Sequence, residues 1–182
     1  HDCKLENGGN LANGEYLVGP VAEVNGVSYA TLADAINAAK DGETVNMLAS
    51  TVCTENTDLT EVKSVTVDFA QHTFTGDNKN IAIRSKAEGA GVLTLMNGTI
   101  TTGDGTYCTL GAANGSAIVV KDMILNNSTA FGGSVKAFPG GTIELRDSQL
   151  NSVKGGGVAA AGGTVNIYNS KIDQKEYYDW NS

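Results

Sequence analysis

Lys121 and Arg146 stand 25 residues apart, with Met96 and Tyr168 at the corresponding places before and after them and Glu144 two positions from Arg146. A basic side chain able to take a proton, beside acidic ones that hold calcium, is what cleavage of an acidic glycan by a lyase requires. Tyr107, Lys121, Arg146 and Tyr168 are therefore the candidate glycan-binding set. The plainer alternative is a solvated face on which Glu144 partly offsets two cations. Asp122 and Asp147 are also 25 residues apart, and on neighbouring strands they would stack about 5 Å from each other. Carboxylates so placed repel or share a cation, which makes calcium the one metal to consider. Asn97 and Asn169 hold the equivalent places, so the column reads more simply as a ladder of hydrogen-bonded turn residues.

Other chemistry is sparse. Asp77, Asp104 and Asp122 lack calcium-loop spacing, and neither His72 nor His1 has a nucleophile for a Ser/His/Asp arrangement. No catalytic residue is expected, no cofactor beyond that calcium, and no enzymatic activity. Asn97, Asn114, Asn126 and Asn127 begin Asn-x-Ser/Thr sequons, a match that arises easily in Asn-, Ser- and Thr-rich strands. Cys3, Cys53 and Cys108 are an odd set that allows at most one intrachain disulfide, and their spacings fit no zinc pattern. Cys3 with Cys53 is the expected pair, with Cys108 as a small buried residue within a strand.

The elements that must position these residues emerge from an internal repeat. Residues 93–100 (LTLMNGTI), 118–125 (IVVKDMIL), 143–150 (IELRDSQL) and 165–172 (VNIYNSKI) align without gaps. Three columns are wholly apolar: Leu93, Ile118, Ile143 and Val165; Leu95, Val120, Leu145 and Ile167; Ile100, Leu125, Leu150 and Ile172. The column between the first two (Thr94, Val119, Glu144, Asn166) is mixed, the period of two that marks a strand with one buried face. Asn97, Asp122, Asp147 and Asn169 then mark a bend. After the bend come one apolar residue, a polar stretch and a second short segment, seen at 81–84, 107–110, 135–138 and 158–161.

A unit of this length cannot bury its apolar residues alone, but copies stacked in parallel close a core. The expected fold is all-β: a right-handed parallel β-helix of five to six rungs. Val65, Val67 and Phe74 form a looser early copy, and Val45 to Leu48 start the first rung. A leucine-rich repeat is excluded, because its Leu-x-x-Leu-x-Leu spacing is absent. Composition agrees, with 23 Gly, 2 Pro and 6% aromatics.

Ahead of the repeat, Asn25-Gly26 between two β-prone runs predicts a hairpin. Thr31 to Asp34 (TLAD) predicts the N-cap of a helix of about nine residues that buries Leu32, Ala35, Ile36 and Ala39 and stops near Gly42. Hairpin and helix would cover the open end of the solenoid. The expected division is an N-terminal extension over 1–20 and one β-helix domain over 21–182, with the cap at 21–42, rungs at 43–174 and a C-terminal segment at 175–182. No comparable lid is visible after the last rung. Further rungs, a cover made by Tyr177, Tyr178 and Trp180, or another molecule would each close that end.

The stretch VAEVNGVSYATLADAINAAKDGETVNMLAS, residues 21–50, resembles the opening segment that precedes parallel β-helix modules in bacterial, especially Gram-positive, cell-surface and adhesin-like proteins of the pectate-lyase-like superfamily. The resemblance implies a secreted or cell-surface role and does not imply lyase activity. The paired-Asp, Gly-His-Gly and Arg-x-Lys motifs of polygalacturonase-like enzymes are not present. A chain that begins at His1 is expected to be trimmed, as a mature secreted product would be.

A net charge of −8 argues against nucleic acid or an anionic membrane as partner, and no apolar run is long enough for membrane insertion. The expected function is a non-enzymatic structural or adhesive extracellular module, a rigid solenoid for surface display or for self-assembly head to tail into fibres. Its partners would then be copies of itself, a glycan or a host-surface ligand. The alternative is a carbohydrate-binding module or a polysaccharide lyase or hydrolase acting on one solenoid face.

Overall fold

The structure, a computed structural model, describes residues 3–5, 19–77, 81–103, 106–128, 133–153 and 156–175. It begins with strand β1 (Cys3–Leu5), a hairpin of β2 (Ala22–Val24) and β3 (Val27–Tyr29), and helix α1 (Leu32–Ala38). The first turn of a solenoid follows as β4 (Thr44–Met47), β5 (Thr51–Cys53) and β6 (Thr57–Leu59). The second holds β7 (Ser64–Asp68), β8 (Thr73–Gly76) and β9 (Ile81–Ser85). In the third and fourth, β10 (Val92–Thr102) and β12 (Ala117–Asn127) each supply two sides, completed by β11 (Cys108–Ala112) and β13 (Gly133–Ala137). The fifth is β14 (Thr142–Arg146), β15 (Gln149–Ser152) and β16 (Gly156–Ala160), and β17 (Thr164–Tyr168) with β18 (Lys171–Gln174) start another. The result is a parallel β-helix of about five turns.

The register follows the ungapped alignment. Leu93 pairs in parallel with Val65 below and Ile118 above, Ile118 with Ile143, and Ile143 with Val165. Phe74, Ile100, Leu125, Leu150 and Ile172 form the column beyond the bend. Leu93, Leu95, Ile100, Ile118, Val120, Leu125 and Ile143 are fully buried. Burying each large apolar side chain stabilises the fold by about 1.5–3 kcal/mol.

Each turn has three strand sides, one more than the minimum of two expected, because the apolar residue after the bend belongs to a side of its own. The bend costs one residue and scarcely interrupts the ladder. Asn97, Asp122, Asp147 and Asn169 adopt φ values of 61°, 52°, 48° and 45°. Asn and Asp tolerate this left-handed conformation better than other non-glycine residues. Pairing resumes at once, so Leu95 and Ile100 lie in one continuous strand. The third side sits close to the expected segments, with boundaries moved by one or two residues.

Where the second and third sides meet, the interior is polar and self-satisfied. The Thr102 and Thr109 hydroxyls are 2.9 Å apart, the Thr102 hydroxyl donates to Asn127 Oδ1 at 3.3 Å, and Asn127 Nδ2 donates to Ser134 Oγ at 2.5 Å. Buried polar groups cost little when paired in this way.

The chain closes its own N-terminal end. β2 pairs antiparallel with β4, and β1 pairs antiparallel with β5, so two of the three strand edges of the first turn are paired. Helix α1 packs across β6 and β2, burying Leu32, Ala35, Ile36 and Ala39. Its N-cap is as expected: the Thr31 side chain accepts from the Asp34 amide at 3.0 Å. The Asn25-Gly26 turn has positive φ at both residues, as the hairpin requires. The helix is shorter than expected and ends at Ala38, and Gly42 instead sits at φ +80° in the next turn. The carbonyls at this end are satisfied by Lys63, nearly buried beneath the cap, whose Nζ donates at 2.8 Å to those of both Asn37 and Ala39.

At the opposite end, no strand is paired beyond β16, β17 and β18 among the described residues. Val158, Val165 and Ile172 are only partly buried there, and Ile167 is 45% exposed.

Candidate functional site

On the first side, Met96, Lys121, Arg146 and Tyr168 form one outward register column. The Arg146 guanidinium lies 4.7 Å from the centroid of the Tyr168 ring. Its Nε also donates to Glu144 Oε1, and that bond holds the guanidinium above its ordinary pKa. Lys121 points away into solvent, with Nζ 4.0 Å from Asp122. Three of the four candidate ligand-binding residues are thus neighbours, and they make an exposed cationic and aromatic strip whose strongest partner is its own Glu144.

The bend column runs beside this strip. Asn169 Nδ2 donates to Asp147 Oδ1 at 2.6 Å, and Asn97 Nδ2 donates to Asp68 Oδ1 at 3.2 Å across a neighbouring pair of turns. Asp122 and Asp147 sit at successive left-handed bends, and among the described residues no group of three or more His, Cys, Asp or Glu side chains is arranged to hold a metal ion.

Tyr107 belongs elsewhere. It precedes β11 on the third side, where the Lys136 ammonium lies 4.7 Å from the Tyr107 ring centroid and 5.2 Å from that of Phe138, and donates to the Tyr107 hydroxyl. One column along this side runs Asp58, Arg84, Gly111, Lys136 and Ala159. Arg84 grips Asp58 through two hydrogen bonds of 2.6 Å, and Lys86 adds an ion pair at 3.0 Å. A side chain in place of Gly111 would meet Ile81 and Phe138 at 3.0–3.2 Å, so the strand lies close under its covering. β11 is buried on both faces, which is unusual for an outer wall. Cys108 is a free thiol within it; burial pushes its pKa up to about 12, with Lys136 and Arg84 pulling weakly the other way.

None of the Asp58, Arg84 and Lys136 cluster is anticipated from the sequence. The segments 81–84, 107–110 and 135–138 set Arg84 level with Leu110 and Phe138, whereas the ladder pairs it with Gly111 and, one turn further, Lys136.

A groove of about 490 Å³ opens along the second side, with Thr101, Asn126, Asn151, Gln149, Val153 and Lys175 in its lining. It contains none of the residues expected to bind a ligand.

Cys53 is disulfide-bonded, and Cys3 is its register partner in the β1–β5 ladder. Tyr177, Tyr178 and Trp180 lie outside the described residues. No helix among the described residues is long and apolar enough to cross a membrane. Compared with known proteins, the chain matches no family model, no curated protein and no solved structure.

Proposed function

We propose that this chain is a non-enzymatic structural and adhesive module of an extracellular surface, a stiff solenoid that carries binding faces at fixed spacing. The observation behind this is a regular stack whose first turn the chain itself caps. β2 and β1 pair with β4 and β5 and α1 packs across β6, and above them the ladder columns run in register up to β17 and β18. A stack of this kind is stiff and holds the faces of its turns at fixed spacing. Two further points favour the location. A disulfide at Cys53 is typical of oxidising surroundings outside the cell, and residues 21–50 resemble the segment that opens β-helix modules of pectate-lyase-like, Gram-positive adhesin-like surface proteins.

Display is favoured over fibre formation. Head-to-tail continuation of the solenoid needs the N-terminal edges of β4, β5 and β6, which β2, β1 and α1 cover.

The test is retention of protein-coated beads under flow on surfaces carrying neutral glycans, acidic glycans, mucin or matrix proteins. Retention on at least one surface, lost when the coating protein is unfolded first, is the expected result. Equal retention of native and unfolded coatings on every surface contradicts an adhesive role.

A further inference from the structure

We infer that the groove on the second side is a binding site for an extended neutral glycan. This rests on the adhesive role proposed above and names its ligand. The outward column there reads Thr101, Asn126, Asn151 and Asp173 on four successive turns. Gln149 Nε2 donates to Asn151 Oδ1 at 2.7 Å, and Asn151 Nδ2 donates to Asn126 Oδ1 at 2.8 Å. The relay fixes three carboxamides in place and leaves the Asn126 amide nitrogen and the Gln149 carbonyl oxygen without a partner among the described residues. The Thr101 hydroxyl is equally unengaged. The relay thus presents an open donor on Asn126 and an open acceptor on Gln149, held in place before any ligand arrives, so little side-chain freedom is lost on binding.

The chemistry matches sugar hydroxyls, each of which donates and accepts. Successive turns are separated by about 4.8 Å, a spacing comparable with the rise per residue of an extended glycan, so one ring can face one turn. Val153, 41% exposed at the wall, supplies an apolar surface for the C–H face of a ring. Charge selects against an acidic chain, because the protein carries a net charge of −8. The groove is also separate from the Arg146 and Tyr168 strip on the first side, so the two can be tested independently.

The experiment is titration of the whole chain with cello-, xylo- and mannohexaose, and with hexagalacturonate as the acidic comparator, followed by backbone amide chemical shifts. At least one neutral hexasaccharide should shift residues 101, 126, 149 and 151 and be preferred over hexagalacturonate. An Asn126→Ala/Asn151→Ala variant should weaken that binding by about tenfold or more, while Arg146→Ala/Tyr168→Ala should change it by less than about twofold. Melting curves establish that both variants fold, and the shifts in the unaltered protein give an answer even if one does not.

Shifts confined to the first or third side, a preference for hexagalacturonate, or no binding to any neutral hexasaccharide overturn the inference. Such silence from a protein whose beads still adhere overturns the groove and leaves the adhesive module standing, whereas failure of bead retention on every surface overturns the module itself.

Discussion

Arg84 holds Asp58 from the turn above by two parallel hydrogen bonds, Nε to Oδ1 and Nη2 to Oδ2, each 2.6 Å long. Burial alone would raise the Asp58 pKa, but the bonds from Arg84 and Lys86 outweigh it and hold the carboxyl below its ordinary value. A carboxyl held low in the folded state contributes stability that is complete above its unfolded pKa of about 3.9 and is lost as pH falls through the lowered folded value. Asp58→Asn should therefore cost about 1.5–3 kcal/mol at neutral pH, and urea midpoints of the two proteins should converge in strong acid. A gap that persists unchanged at low pH would show that the pair contributes nothing through its charge.

The left-handed bends make a second prediction. Asp122 sits at φ 52° with an exposed side chain, so its backbone conformation is the main thing a substitution disturbs. Asp122→Val should destabilise by about 1–2 kcal/mol, and Asp122→Gly should be close to neutral. Denaturant midpoints for the two variants check this, and equal losses would mean that the aspartate side chain, not the bend, is what matters.

The cysteines should behave in two distinct ways. A peptide linking Cys3 to Cys53 is expected in a non-reduced digest, and Cys53→Ser should cost about 2–5 kcal/mol by loosening the strand that closes the second side. Cys108, fully buried with its thiol pushed up to about 12, should resist alkylation at neutral pH until the protein unfolds. Rapid labelling of Cys108 in the native protein would mean that the covering of the third side opens readily.

Closed N-terminal edges also limit assembly. Light scattering across a concentration series should give the mass of one chain, 18.8 kDa, or of a closed pair that joins through β16, β17 and β18, beyond which no strand is paired among the described residues. Masses that keep growing with concentration would require head-to-tail contacts and would contradict the account of the cap.

How much of this is legible in the sequence depends on where the information lies. The stacking of Leu93, Ile118, Ile143 and Val165 is visible because a buried ladder demands an apolar residue at every turn, and Asn97, Asp122, Asp147 and Asn169 are visible because few other residues accept their backbone geometry. The same register places Lys121, Arg146 and Tyr168 side by side. Strand β1 is not visible, since three residues carry no period. The second strand side is hidden because a single-residue bend sets it off from the first without a break in the strand before Ile100. Tyr107 is misgrouped, because its place in the repeat aligns it with the third side and not with Tyr168. The Asp58 grip and the carboxamide relay are invisible for another reason: they depend on which rotamers long polar side chains adopt across neighbouring turns, which no single-chain pattern encodes.

The most direct test of the central claim, binding without turnover, is to incubate the protein at high concentration with a panel of long neutral and acidic polysaccharides, with and without calcium. Bound fraction, polymer length and ultraviolet absorption would be followed together. The account predicts that at least one polymer is retained by the protein while its length stays unchanged and no unsaturated product appears. Progressive shortening of any polymer, or ultraviolet-absorbing ends appearing in proportion to protein added, would contradict it.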